Sequence, residues 1–317
     1  MNARFPDTDT VRTALSLANR APSVHNSQPW RWRVGQGTMH LYADPTLHLP
    51  HTDPDCRDLI VSCGAALNHC VIALAALGWQ SKVHYLPNPA DPNHLASIQP
   101  HRLEPGPVDI ALAAAIPRRR TDRRHFSKWS VPPGDIALMG SRVARMGVTM
   151  RWVDITPNFH ALLATAVNEH VHDADYLTEL TLWSGRYAAT AGVPARNTPE
   201  PDPDDAVPAR LFAAPVLAQS PDGTAHHDGA TVLALGTGTD GLVHRVRAGE
   251  ATSMILLTAT AAGLASCPIT EPLEIAATRE TLRTEVFDGD GYPQMLLRIG
   301  WAPVNADPLP ATPRRPL

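Results

Sequence analysis

Two apolar stretches of this chain share a pattern that limits how it can fold. Gly64–Gly78 reads GAALNHCVIALAALG, and Gly249–Gly263 reads GEATSMILLTATAAG. Laid together without gaps, Gly64 meets Gly249, Ala66 meets Ala251, Ala76 meets Ala261 and Gly78 meets Gly263. A helix that is apolar on all sides is buried. Gly or Ala at a helix crossing lets the two backbones approach closely. Each stretch is followed by an extended segment. The expectation is a duplicated half, with two small-residue helices crossing in one core. Ala and Gly are common in such helices, so coincidence is the competing explanation.

The rest of the chain supplies strands and helices around that pair. Residues 7–20 predict a helix capped by Asp7 or Thr8, with Val11, Leu15 and Ala18 at helical spacing. Pro22 and Pro29 exclude helix from the PSVHNSQPW segment that follows. WRWRV and MHLYA alternate like strands, joined by GQG. SKVHYLP, 148–154, VLALG and PQMLLRIGWAP read as further strands. Helices are expected over 108–116, 133–146, 156–185 and 272–286. Residues 87–109 are rich in Pro, Asn and Asp and read as loop. Residues 192–208, GVPARNTPEPDPDDAVP, form a breaker-rich excursion of the kind that serves as a lid or binding loop or stays disordered.

Composition narrows the class. A length of 317 residues with 44% hydrophobic content supports about two domain-sized units. The net charge of -4 argues against a nucleic-acid or anionic-membrane binder. No apolar run reaches the roughly 20 residues of a membrane span, and MNARFPDTDT has no secretory h-region. The cysteines Cys56, Cys63, Cys70 and Cys267 include no CxxC pair. The first three, spaced by seven, read as small core residues rather than a metal site. A reduced, cytoplasmic chain is the expectation.

Several chemical motifs are absent or weak. GTGTDG (236–241) matches GxGxxG after an apolar strand. The helical pattern is expected to begin only after LVHRVR, and no acidic residue follows about 20 positions on, so a dinucleotide turn is not favoured. No P-loop, GxSxG elbow or HExxH motif occurs. His170 and His172 are two apart, the wrong spacing for one helix face, and read as solvated. RRRTDRRHF (118–126) is stronger, because crowded arginines beside a hydroxyl either stay solvated or hold an anion such as phosphate. Arg314 and Arg315 offer a second basic pair.

Taken together, PSVHNSQPW, RRTDR, CPITEPLE and TPRRPL resemble the FMN-dependent nitroreductase family, and most closely its Acg-like branch. The resemblance covers nearly the whole chain, and PSxxNxQPW is its most specific part. It implies an α+β, nitroreductase-like fold, a mixed sheet flanked by helices, duplicated within one chain as a pseudo-dimer. The first half would span 1–105 and the second 106–317. By position, the resemblance places Pro22, Ser23, Val24 and Asn26 against a flavin. It places Arg119, Arg120, Thr121 and Arg123 on the FMN phosphate, Thr270 and Glu271 beside the reactive ring, and Arg314 and Arg315 at a C-terminal phosphate grip.

The halves are complementary: the first has PSVHN without a basic segment ahead of it, and the second has the basic segments without a second PSxxNxQPW. That implies one FMN per chain. The implied activity is hydride transfer from NAD(P)H through FMN to a nitroaromatic or quinone-like acceptor. An FMN-sequestering protein, with the 192–208 excursion closed over the flavin, is the alternative. No general acid, metal site or nucleic-acid or membrane partner is expected, and the protein would be a monomer or homodimer.

Overall fold

A computed structural model of the protein describes residues 5–185, 189–220, 225 and 228–317. The first part of the chain runs α1 (Thr8–Ala18), β1 (Trp30–Val34), β2 (Met39–Ala43), α2 (Arg57–Ala76), β3 (Trp79–Tyr85) and β4 (His94–Arg102). α3 (Pro107–Ala115) follows. The second part contains α4 (Pro133–Ala144), β5 (Thr149–Val153), α5 (Pro157–Val171), α6 (Ala174–Trp183), β6 (Thr231–Thr237), α7 (Leu242–Ala261), β7 (Ala265–Ile269), α8 (Glu271–Glu274), α9 (Ala276–Phe287) and β8 (Tyr292–Gly300).

The two sheets are wound alike. One has the order β1-β2-β4-β3 and the other β5-β6-β8-β7, each with its long helix between the second and third strands. All pairings between these strands are antiparallel, where a mixed sheet was expected. The second sheet is covered on both faces, so β6 is buried along its length. Leu233 and Leu235 face α7 and α4, whereas Val232 and Ala234 face α5 and α9. This is the period-two alternation of a strand between two apolar layers. β3 alternates instead between core and solvent, because its outer face is uncovered.

α2 and α7 cross at the centre, at the expected glycines. A Cβ on Gly64 would stand 2.0 Å from the Val246 carbonyl oxygen and 3.0 Å from the Gly249 Cα. A Cβ on Gly249 would stand 2.0 Å from the Val61 carbonyl oxygen and 2.8 Å from the Gly64 Cα. The contacts are reciprocal, as a twofold relation between the helices requires. Gly78 and Gly263 also match, both at φ +84° just past their helices. That left-handed conformation stops a helix at no steric cost only in glycine. Against the expectation that no apolar run is long enough for a membrane span, α2 is long and apolar enough to cross one, but most of that length is buried inside the protein.

Several local expectations need correction. Residues 94–102 are not loop but the central strand β4, whose Leu95, Ala96 and Ile98 are fully buried. Pro100 obscured it. That proline pairs with Ser81 beyond Ile98, where β2 has already ended, so its missing N–H takes no bond from that neighbour. The helix expected over 156–185 breaks after Val171, and the Asp173 side chain caps a new one. The helix expected over 272–286 divides at Ile275. α7 begins at Leu242, directly after GTGTDG. The antiparallel sheet, rather than a delayed helix, is what separates that turn from a dinucleotide fold. Cys63 and Cys70 are core residues, but Cys56 is exposed at the α2 N-cap.

Candidate active site

The PSVHN segment is a strained turn held from several sides. His25, Asn26 and Gln28 all have positive φ, at 44°, 54° and 55°. Non-glycine residues rarely adopt this region, and a run of them persists only where the surroundings impose it. The Ser23 hydroxyl accepts from the Gln28 N–H at 3.0 Å, and Ser62 of α2 accepts from the Val24 N–H at 3.1 Å. The Asn26 amide donates to the carbonyls of Gly192 (3.0 Å) and Pro313 (3.1 Å) and accepts from Arg314 at 2.7 Å. Gln28 accepts from the Arg315 N–H at 2.8 Å. The two amide side chains therefore fasten the 192–208 excursion and the C-terminal tail to this turn.

A cleft opens beside the turn, with about 1180 Å³ of empty space counting its mouth. Pro22, Ser23, Val24 and His25 form one wall, and Cys267 to Glu271 form another. Asp58, Val61, Ser62 and Ala65 of α2 contribute the floor, with Thr252 of α7. Thr121 and Arg123 reach it from the RRTDR segment. The 192–208 excursion and the residues after it border the same space, through Pro199, Glu200, Val207, Arg210 and Phe212. Of the sequence-derived candidates, Pro22, Ser23, Val24, Thr121, Arg123, Thr270 and Glu271 thus converge on one cleft. Asn26, Arg119, Arg120, Arg314 and Arg315 do not line it.

Those arginines gather nearby. Arg119 is buried, with Arg20, Arg120 and Arg314 close enough to perturb it. Arg314 donates to Asn26 and to the Arg20 carbonyl, which joins this group to the PSVHN turn. Among the described residues none of Arg20, Arg119, Arg120, Arg123, Arg314 and Arg315 is ion-paired with a carboxylate. Buried donors at Arg119 (Nε and Nη1), Arg120 (Nε) and Arg314 (Nε) have no acceptor among the described residues. Burial and neighbouring guanidinium groups push Arg119 down to about 9 and Arg314 to about 10. A guanidinium keeps its proton near neutrality, so this crowding favours a bound anion.

At the other end lies a buried ionic knot. Arg210 donates to Glu274 Oε1 at 2.5 Å, Tyr176 Oη at 2.7 Å and Thr270 Oγ1 at 3.3 Å. Glu274 holds Arg210 well above its ordinary range despite burial. His170 is not solvated, as its spacing suggested. It is buried, lies 3.1 Å from Glu271 Oε1 and stacks on Tyr176 with ring centroids 3.8 Å apart. His125 binds Asp205 at 2.6 Å and so pins the excursion a second time. Sequence reasoning missed Arg210, which sits in breaker-rich chain without periodicity. Asp58 and Ser62 did carry a signal: they are polar at i, i+4 within an apolar helix and mark the face that meets the cleft.

No protein-family model matches the chain. A relative from Mycobacterium tuberculosis (strain ATCC 25618 / H37Rv), "Putative NAD(P)H nitroreductase Rv3131", is 61% identical over 317 residues, spanning 100% of this chain and 92% of its own. From the same strain, "Putative NAD(P)H nitroreductase acg" is 37% identical over 325 residues, spanning 98% of this chain and 94% of its own. The chain belongs to the nitroreductase family. A solved nitroreductase with bound FMN from Bacteroides fragilis NCTC 9343 is 14% identical and covers 62% of this chain and 90% of its own, with a TM-score of 0.40. Against the first of these relatives this nitroreductase is aligned over its whole length, the excursion and the C-terminal tail included.

Proposed function

We propose that the protein holds one FMN in the cleft and transfers reducing equivalents from NAD(P)H to a nitroaromatic or quinone-like acceptor. The observation that carries this reading is convergence: PSVH, Thr121 with Arg123, and the turn after β7 meet at one cleft, beside arginines that lack carboxylate partners. The residues present fit the group. Forked guanidinium donors and a Thr hydroxyl suit a phosphate. Pro22, Val24, Ile269 and Phe212 offer apolar surface to a planar ring. FMN, when bound, supplies the hydride chemistry.

The chain's own contribution is binding, orientation and exclusion of water. Arg119, Arg120, Arg123 and Arg314 would hold the phosphate end, with Thr121 beside them. Ser23 and Val24 would line one face of the ring and Thr270 and Glu271 the other side. The names of the mycobacterial relatives support a pyridine nucleotide as donor. The same reading divides the chain near residue 105 into two nitroreductase-like halves that share a single flavin site.

A second reading has an observation of its own. The excursion borders the cleft and is pinned by the His125–Asp205 pair, and the chain just after it by the buried Arg210–Glu274 pair. A lid so fastened would store FMN and exclude NAD(P)H from the ring. Reconstitution with FMN followed by NADH or NADPH and a nitroaromatic separates the two. Steady oxidation of pyridine nucleotide supports the oxidoreductase. Flavin reduced by dithionite but not by either nucleotide rejects it in favour of storage. A protein that takes up no FMN rejects both.

A further inference from the structure

His25 sits in the cleft wall, and its hydrogen bonding fixes which ring nitrogen carries the proton. The residue is 5% exposed, and its backbone is in the left-handed region at φ 44°. Arg210 Nη1 approaches His25 Nε2 at 3.0 Å. A guanidinium has only donors, so Nε2 must accept. The proton of a neutral imidazole is then on Nδ1. Nδ1 is buried and, among the described residues, has no hydrogen-bond partner. Phe212 meets the ring edge-on with centroids 6.0 Å apart. Burial, with Arg210 and Arg123 nearby, holds His25 well below its ordinary range, which keeps it neutral. An unsatisfied buried donor is costly, and the cost falls away when a ligand brings an acceptor.

We propose that His25 is a recognition residue of the cleft, whose Nδ1–H donates to a carbonyl oxygen or unprotonated ring nitrogen on the edge of a bound planar heterocycle, with Arg210 fixing that tautomer. The ligand named here rests on the flavin reading of the cleft; the tautomer does not. Arg210 lies two residues past the excursion and is anchored on Glu274. Seating of that loop and the polarity of His25 are therefore set by one side chain. The loop makes the cleft selective for an acceptor at this position, because an edge that offered a donor would leave both groups unpaired.

Histidine-labelled protein without FMN gives the first test, by long-range proton–nitrogen correlation at neutral pH. His25 is expected as the Nδ1–H tautomer, and Arg210→Met is expected to bring up the Nε2–H form. A wild-type His25 protonated on Nε2 would overturn the proposal. Adding FMN should shift the Nδ1 proton and slow its exchange with water; an unchanged proton in the FMN-loaded protein would overturn it.

The second test compares His25→Asn with His25→Gly. Both tolerate a left-handed backbone, but only Asn keeps a donor near the Nδ1 position. His25→Asn should bind FMN about as well as wild type, whereas His25→Gly should weaken it about three- to tenfold, the scale of one hydrogen bond. Equal weakening in both would contradict the donor role. Wild-type protein that takes up no FMN would overturn the flavin reading and the ligand named here, while the tautomer measured without FMN would still decide the role of Arg210.

Discussion

Replacing Gly249 by alanine should damage the whole molecule, although alanine is the better helix former. The added Cβ would stand 2.0 Å from the Val61 carbonyl oxygen. Even close carbon–oxygen contacts need about 3.3 Å, so α2 and α7 would have to part by more than about 1 Å. The obstacle is backbone of the facing helix, which cannot rotate away as a side chain can. Overpacking costs about 1–3 kcal/mol, and a backbone obstacle belongs near the upper figure. Alanine recovers about 1 kcal/mol of helix propensity. The net loss is about 2 kcal/mol, which over 317 residues at about 2.1 cal/mol/K each lowers Tm by about 3 °C. Gly134→Ala in α4 is the control, since nothing lies within 4 Å of its Cβ position. It should match or slightly exceed wild type in a thermal melt. A Gly249→Ala protein that melts at or above wild type, beside a well-behaved control, would refute the close crossing.

Three other outcomes follow from named groups. Arg120→Ala with Arg123→Ala should weaken FMN binding at least tenfold by fluorescence titration, because charge-assisted phosphate contacts are worth about 1.5–3 kcal/mol each; unchanged affinity would remove these residues from the phosphate grip. Burial raises Glu250 to about 7, and Tyr85 donates to it at 2.8 Å. Its folded value lies above the unfolded 4.5, so the stability it contributes is complete below about 4.5 and is lost as pH rises through about 7. Glu250→Gln should flatten that fall in melts between these pH values, and an unchanged slope would show that another group sets it. Arg210→Met should leave Glu274 buried without its guanidinium partner, with only Thr270 still donating to it and His170 4.0 Å away, a loss on the order of 3 kcal/mol, and speed limited proteolysis within residues 199–212; an unaltered cleavage rate would show that the knot does not fasten the loop.

The sequence carried more of the scaffold than of the site's closure. The glycine and alanine matches announced the α2–α7 crossing, because only small residues permit that approach and their positions are fixed by helical period. PSVHN, RRTDR and CPITE were legible as separate pieces, and the fold brings part of each to the cleft: Pro22 to His25, Thr121 with Arg123, and Cys267 to Glu271. β4 was hidden because Pro100 and the Asn- and Asp-rich chain before it read as loop, while its buried run is only a few residues long. Arg210 and His170 were illegible for a different reason. Their partners, Glu274 and Glu271, lie 64 and 101 residues away, and no local period encodes such a pairing. Asn26 shows the limit of motif reading: its side chain is spent on Gly192, Pro313 and Arg314, so its role here includes tying the loop and tail together.

The central claim is that this cleft holds a flavin that a pyridine nucleotide can reduce. Anaerobic addition of NADPH, and separately NADH, to FMN-loaded protein tests it most directly, with flavin absorbance as the readout. The account predicts that at least one nucleotide bleaches the flavin completely, with one equivalent consumed per chain. Flavin that stays oxidised with both nucleotides, yet bleaches with dithionite, would contradict it.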